Sequence, residues 1–213
     1  MAYFRLLIGC IPEEKRFQFD RILGEIGLSL RDIHAGEIGK AVFADFKQVL
    51  YNTQDQIIPD IILSFSKTVR LSSLGILGYA IINSKNIEKA LQVSSRFSSL
   101  SYSNFDFQLF KNKDTAGIRL LDHLPSRLER EDFLCSKYNM LSSMLPPSTD
   151  LSRMHIYADY SLPSYETSYQ GFFKCSIQFD ASYLCIYFPA EWLKTTVNGA
   201  DHELYLLCEA QCT

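Results

Sequence analysis

The feature that most constrains this chain is a change in the spacing of its apolar residues near Asn104. Ahead of that point the spacing is helical. The stretch EEKRFQFDRILGEIGL, entered through Pro12, sets Phe17, Ile22, Leu23 and Ile26 at near-helical intervals, and Gly27 stops it. A short second helix is expected over 29–33, closed by His34-Ala35-Gly36. A third is expected over about 40–51, where Val42, Phe43, Phe46, Val49 and Leu50 form one stripe. A fourth, over 60–67, would pack through Ile61, Ile62 and Phe65. Residues 74–82 are too apolar for a surface helix and belong in a core. Gly75 and Gly78 would give that segment a small-residue face for a closely approaching backbone. Asn86 can cap one more helix, with Ile87, Ala90, Leu91, Ser94 and Phe97 buried and Leu100 at the margin.

Beyond Asn104 the period becomes two. Phe105, Phe107 and Leu109 alternate, Asn112-Lys113-Asp114 is a turn, and GIRLLDH returns as the second strand of a hairpin. Residues 127–145 read as a long helix ended by Pro146-Pro147. A strand over 153–160 sets Met154, Ile156 and Ala158 against Arg153, His155 and Tyr157. A helix over 164–173, an edge strand over 176–179, a strand over 183–188 and a short helix holding Trp192 and Leu193 follow. An amphipathic helix over 200–211 closes the chain. This order predicts an α+β fold, with a helical N-terminal half followed by an antiparallel sheet interleaved with helices. No linker-like or low-complexity run divides the sequence, so residues 1–213 are read as one domain.

Charge and motifs narrow the function. The net charge is −3 and the basic residues are scattered, which argues against an autonomous nucleic-acid-binding domain. The N-terminal apolar stretch is short, lacks a basic leader and runs straight into Glu13-Glu14-Lys15-Arg16. No segment reaches bilayer-spanning length, so a cytoplasmic protein is expected. The six cysteines form no CxxC pair and read mostly as small buried hydrophobes. Cys208 and Cys212, one helical turn apart, do not close a metal site by themselves. GxGxxG, Walker A, GxSxG and HExxH patterns are absent, and no nucleophile stands with a base and an orienting partner. The acid pairs Glu13-Glu14 and Glu131-Asp132 read as solvated helix faces. Neither an enzyme nor a cofactor is expected.

Two stretches carry a recognisable pattern. SKTVRLSSLGILGYAIINSKNIEKAL, from Ser66 to Leu91, keeps Leu74, Gly75, Leu77, Gly78, Tyr79, Ala80, Ala90 and Leu91. PSYETSYQGFFKCSIQFDASYLCIYFPAEWL, from Pro163, keeps Tyr169, Phe173, Cys175, Ile177, Phe179, Leu184, Phe188 and Leu193. Together they resemble the arabinose-binding-like N-terminal domain of AraC/XylS-family transcription regulators, over roughly residues 21–211. The chain departs from that pattern at Ser66 and Ser72 for glycines, Ser73 for an acid, and Lys85 for proline. Lys89 replaces the glutamate of a capping box, and Tyr160 stands where many members have histidine.

The resemblance implies an effector-sensing domain that binds a small molecule and controls an attached DNA-binding region. DNA would then be reached only through a C-terminal helix-turn-helix region that is not in this sequence. The last helix ends where an interdomain linker would begin, so the chain is expected to be one half of a longer protein, with a natural stand-alone domain as the alternative. A homodimer is an expected assembly, and a dimerisation module without a ligand is the rival reading. An effector pocket is expected between the glycine-containing helix and the sheet, with Tyr79, Arg153, His155 and Tyr157 as its first polar residues.

Overall fold

The computed structural model describes residues 2–25, 27–35, 49, 59–100, 105–124 and 126–212. These fall into two compact units, Met1–Val69 and Arg70–Thr213. The first is helical. It contains α1 (Ala2–Gly9), α2 (Glu13–Gly24), α3 (Leu30–Ala35) and α4 (Ile61–Ser66). Pro12 enters α2 as expected, and Gly27, at φ 70°, lies in the turn beyond its end. The stripe of α2 differs from expectation. Phe19, Ile22 and Leu23 are buried, whereas Phe17 is exposed. Residues 15 to 23 turn the helix so that Phe19, one turn before Leu23, takes the inward place. Helix α3 runs on through His34 to Ala35. The helix expected over 40–51 lies outside the described residues, apart from Val49.

The second unit holds α5 (Ile76–Ile82), α6 (Ile87–Arg96), β1 (Phe107–Lys111), β2 (Thr115–Leu120), α7 (Arg127–Met144), β3 (His155–Tyr157), α8 (Glu166–Phe172), β4 (Ser176–Gln178), β5 (Cys185–Pro189) and α9 (His202–Cys212). Asn86 caps α6 by accepting a hydrogen bond from the Lys89 backbone N–H at 2.9 Å, even without the capping-box glutamate. Its buried stripe is the expected one, but Leu100 is exposed. Helix α7 opens on a capping box formed by Ser126 and Glu129. It ends at Leu145, held extended at ψ 151° ahead of Pro146.

The sheet has the order β1-β2-β5-β3-β4. The α+β expectation holds, with one correction: the sheet is mixed. β4 runs parallel to β3, while the other neighbours are antiparallel. The reason is the connection. A tight turn reverses a strand, but residues 158–175 carry α8 across and return the chain in the same direction. Leu109, Ile118, Ile186, Ile156 and Ile177 sit opposite one another across the five strands. Ile118, Ile186 and Ile156 are fully buried, and each contributes about 2 kcal/mol of apolar burial. This is the inner face, against which α6 packs at β1 and α7 at β5.

Gly78 behaves as predicted: a Cβ there would lie 1.8 Å from the backbone oxygen of Leu71, so only glycine admits that approach. Gly75 has a different role. It turns the chain at φ 62° between a 3-10 turn (Leu71–Leu74) and α5, and nothing crowds it. The closing helix α9 packs on α5 and buries Tyr205, Cys208 and Cys212, while Leu204, Leu206 and Leu207 are exposed. It is therefore apolar on both sides, not amphipathic as expected. Among the described residues, no helix is long and apolar enough to cross a membrane.

Candidate functional site

Helix α7 is buried on most of its circumference. Glu131 and Asp132 are 0% and 4% exposed, which overturns the reading of this acid pair as a solvated face. The other pair, Glu13-Glu14, is exposed as expected. The difference arises because α7 lies between the sheet and the segment carrying α8, and sequence periodicity does not report a helix covered on two sides.

Glu131 faces a group of tyrosines. The Tyr165 hydroxyl donates to both carboxylate oxygens, at 3.1 and 3.2 Å. The Tyr169 hydroxyl donates to Oε1 in a short hydrogen bond. Since Tyr169 spends its proton on the carboxylate, its oxygen accepts from the Tyr160 hydroxyl 3.0 Å away. The result is a directed chain, Tyr160 to Tyr169 to Glu131. Burial raises both phenol pKa values far above the ordinary range. Neighbouring negative groups, Glu131 among them, add to the shift, so both tyrosines remain donors.

Local structure fixes these rings. Helix α8 places Tyr169 one turn beyond Tyr165, with ring centroids 5.8 Å apart. Phe173 and Phe179 stand 5.7 and 5.5 Å from Tyr169, and Phe179 is 6.0 Å from Tyr160. The Asp180 N–H donates to the Tyr160 carbonyl at 3.1 Å, tying the end of β4 to the Tyr160 backbone. Tyr165 is only part-buried, and the Arg127 guanidinium lies 5.4 Å from its ring centroid. Arg130 closes the flank through Asp159, at 3.6 Å to the carboxylate and 3.2 Å to the carbonyl.

A second buried charge sits further along α7. The Lys137 ammonium bonds to Ser94 Oγ at 3.5 Å and lies 4.2 Å from the Phe107 ring centroid. Desolvation brings its pKa down to about 8, against the opposing charge of Asp132.

The residues singled out from sequence lie elsewhere. Tyr79 is exposed on α5, not buried in a core. Helix α5 packs mainly on α9 and α6, whereas α6 and α7 cover the sheet. The strand alternation is right: Met154, Ile156 and Ala158 are buried, and Arg153, His155 and Tyr157 point the other way. The strand is shorter than expected, so Arg153 falls in the preceding 3-10 turn and pairs with Glu191 at 2.9 Å. His155 Nδ1 is 2.6 Å from Ser176 Oγ and exposed. Tyr157 packs beside Tyr183 and Tyr187, at 5.7 and 5.3 Å, and Phe110 adjoins Tyr187 at 5.3 Å. Arg119 stacks on Tyr183 at 5.0 Å. This is the outer face of the sheet. Sequence reading thus brings His155 and Tyr157 together and leaves Tyr79 apart. It misses Glu131, although Tyr169 in the second motif and the unusual Tyr160 both mark its surroundings.

Four of the six cysteines are buried, as expected of small hydrophobes. Burial pushes the Cys175 and Cys185 thiols up to about 12, which removes thiolate reactivity near neutral pH. Among the described residues no group of three or more His, Cys, Asp or Glu could hold a metal.

Comparison with known proteins follows this architecture. Residues 18–197 match the family described as the arabinose-binding domain of AraC transcription regulator, N-terminal. The ornithine utilization regulator of Pseudomonas aeruginosa is 24% identical over 179 residues, covering 82% of this chain and 52% of that protein. The chain therefore spans about half the length of that curated relative. The crystal structure of the transcriptional regulator CdpR from Pseudomonas aeruginosa superposes with a TM-score of 0.62 at 16% identity. That match covers 88% of this chain and 60% of that one, and it speaks to the fold alone.

Proposed function

The chain belongs to the family of arabinose-binding N-terminal domains of AraC transcription regulators, and from that membership we propose that it is an effector-sensing domain. That family is one of regulators, not enzymes. In this reading a small molecule binds the domain, prefers one of its conformations, and so biases an attached DNA-binding region. The observation that carries the reading is the buried network at Glu131. A carboxylate held away from water costs stability unless it is well paired, and replacing such groups with packed apolar ones is often stabilising. Fixed polar groups within apolar surroundings are what a small-molecule site requires. The outer-face group, His155 and Tyr157 with Tyr183 and Tyr187, is the second place to look, with Arg153 at its border. Tyr79 belongs to neither.

The test is a thermal-shift screen of metabolites on this chain, beginning with ornithine and arabinose. A ligand that binds only the native state stabilises it by about 2.7 kcal/mol at one hundred times its dissociation constant. At least one small metabolite is expected to raise the melting temperature. No stabilisation across a broad panel would overturn the sensor reading.

One observation favours a second reading, a self-association module. Leu204, Leu206 and Leu207 leave α9 with an exposed apolar face suited to a second copy of the chain. Light scattering distinguishes the two. A dimer that Leu207→Glu converts to monomer, with no metabolite response, supports this alternative.

A further inference from the structure

We propose that the outer face of the sheet binds an aryl carboxylate, its planar ring against the tyrosines and its carboxylate on the Arg119 guanidinium. The proposal rests on the sensor reading and gives the effector a chemical class. Strand register sets out the surface. One row across the five strands reads Phe110, Gly117, Tyr187, His155 and Ser176. The next reads Gln108, Arg119, Cys185, Tyr157 and Gln178. Neither row contains an acid. Arg119 and His155 are exposed, and Phe110, Tyr157, Tyr183 and Tyr187 are half-buried, so rings and charge are both open to a ligand.

The rings form a continuous series. Tyr187 stands edge-to-face with Phe110 and with Tyr157, at 5.3 Å in each case, and Tyr157 lies 5.7 Å from Tyr183. Cys185 is wholly buried in the row between Arg119 and Tyr157. Its side chain is within hydrogen-bond reach of Tyr187 and electrostatic reach of Arg119, which ties the aromatic and the cationic parts to one point of the sheet. A planar ring extends an edge-to-face series, because its positive edge meets the negative face of the next ring. A saturated ring of the same size has no such edge.

Arg119 supplies the charge. It makes no ion pair among the described residues, and its guanidinium lies 5.0 Å from the Tyr183 ring centroid. Arg153, by contrast, is already matched by Glu191 at 2.9 Å. Stacking on a ring fixes the guanidinium plane without using its N–H donors, so the fork stays available for a bidentate carboxylate. Arg119 faces Cys185 in the register and is therefore one diagonal step from Tyr187, about 7–8 Å, which a long side chain spans. The exposed acids Asp106 and Asp122 lie beyond the two rows, tied together by the Asp106 N–H at 2.6 Å. A cationic ligand would meet Arg119 as a like charge. A lone exposed ion pair is weak, so ring and charge must act together, and loss of either should show.

The experiment is calorimetric titration and thermal shift of the whole chain with phenylacetate, indole-3-acetate, cyclohexylacetate and phenethylamine. The two aryl acids are expected to bind and to raise the melting temperature. Cyclohexylacetate should bind about threefold to tenfold more weakly, the loss of one aromatic contact, and phenethylamine should not bind. Arg119→Gln, at an exposed position, should weaken aryl-acid binding about tenfold or more, and Arg119→Lys should restore only part of it. Tyr187→Leu should also weaken it, whereas Tyr187→Phe, which keeps the ring, should not. Equal or better binding of the amine or of the saturated acid overturns the assignment and leaves the sensor reading standing. So does aryl-acid binding that Arg119→Gln or Tyr187→Leu leaves unchanged, or a panel on which only unrelated metabolites bind. A dimer in light scattering that Tyr187→Leu dissociates would put a second copy of the chain on this face and overturn it too. A broad panel on which nothing binds overturns both readings.

Discussion

The two faces of the sheet use the same residue type in opposite ways. On the inner side, the Tyr165 and Tyr169 hydroxyls donate to a buried carboxylate, and the Tyr160 hydroxyl joins them through Tyr169. On the outer side, tyrosines 157, 183 and 187 lean ring against ring beside water, and the Tyr183 and Tyr187 hydroxyls meet at 3.2 Å. A phenol has an apolar body and one polar tip, so its surroundings decide which part carries the energy. Inside, the hydroxyl matters, because an unmade bond there cannot be replaced by water. Outside, the ring area matters and the hydroxyl can be exchanged for solvent. Gly117 belongs to this outer economy: a Cβ there would meet the Phe110 ring at 2.3 Å, so the glycine is the seat of an aromatic side chain from the next strand.

The contrast predicts a gradient of mutational cost. Its steepest point is Glu131→Ala, which leaves the Tyr165 and Tyr169 hydroxyls without their acceptor. A loss of about 3 kcal/mol in urea unfolding is expected, given roughly 1–3 kcal/mol for each stranded buried group. A loss below about 1 kcal/mol would break the comparison, since the inner hydroxyls would then be as replaceable as the outer ones.

Lys137 sharpens the same point through pH. Its folded pKa, about 8, is depressed from 10.5. The unfolded chain therefore binds more protons between those values, and stability from this group rises as pH climbs through that window. The full effect is about 3 kcal/mol at most. Lys137→Met should exceed the wild type in stability near pH 7, and the gap should close towards pH 10. The buried tyrosines and cysteines act oppositely, because their raised pKa values cost stability at alkaline pH, so the difference between the two proteins is the quantity to measure. A gap that is flat with pH would show that the ammonium is not penalised by burial.

On the outer face, Tyr157→Ala should cost about 1 kcal/mol, the order of one aromatic pair contact, while Tyr187→Phe should cost under about 0.5 kcal/mol. Thermal melts of the two variants separate ring from hydroxyl. Smallest of all is Arg153→Ala. Its ion pair with Glu191 is solvent-exposed on both sides, so a change of about 0.5 kcal/mol or less is expected, further reduced at high salt. An unexpectedly large loss would mean that the Arg153 guanidinium, 6.0 Å from the Trp192 ring centroid, carries packing as well as charge.

How far the sequence could be read follows from these cases. Period two in Phe105, Phe107 and Leu109 gave the hairpin, and the alternation from Met154 to Ala158 gave β3 its correct sides, because a strand's side chains obey its pleat wherever it packs. Asn86 and Pro146 marked helix ends through backbone chemistry that acts within a few residues. The family likeness, carried by glycines and apolar positions, was legible for the same reason: these residues preserve a frame. The candidate site was not. Glu131 and Asp132 look in sequence like any charged pair on a helix, and Tyr79 like a polar group in a core.

What the sequence determined by itself was local: which segments become helices or strands, where most of them end, and that helices precede a sheet in an α+β order. What only the tertiary structure decided was which side of each element meets solvent. The crossover through α8 made β4 parallel to β3 and laid Tyr165 and Tyr169 over α7, and that placement turned an ordinary acid into a buried one. The physical reason is that burial depends on contacts between residues some 34 to 38 positions apart, whereas periodicity reports only neighbours on the same element.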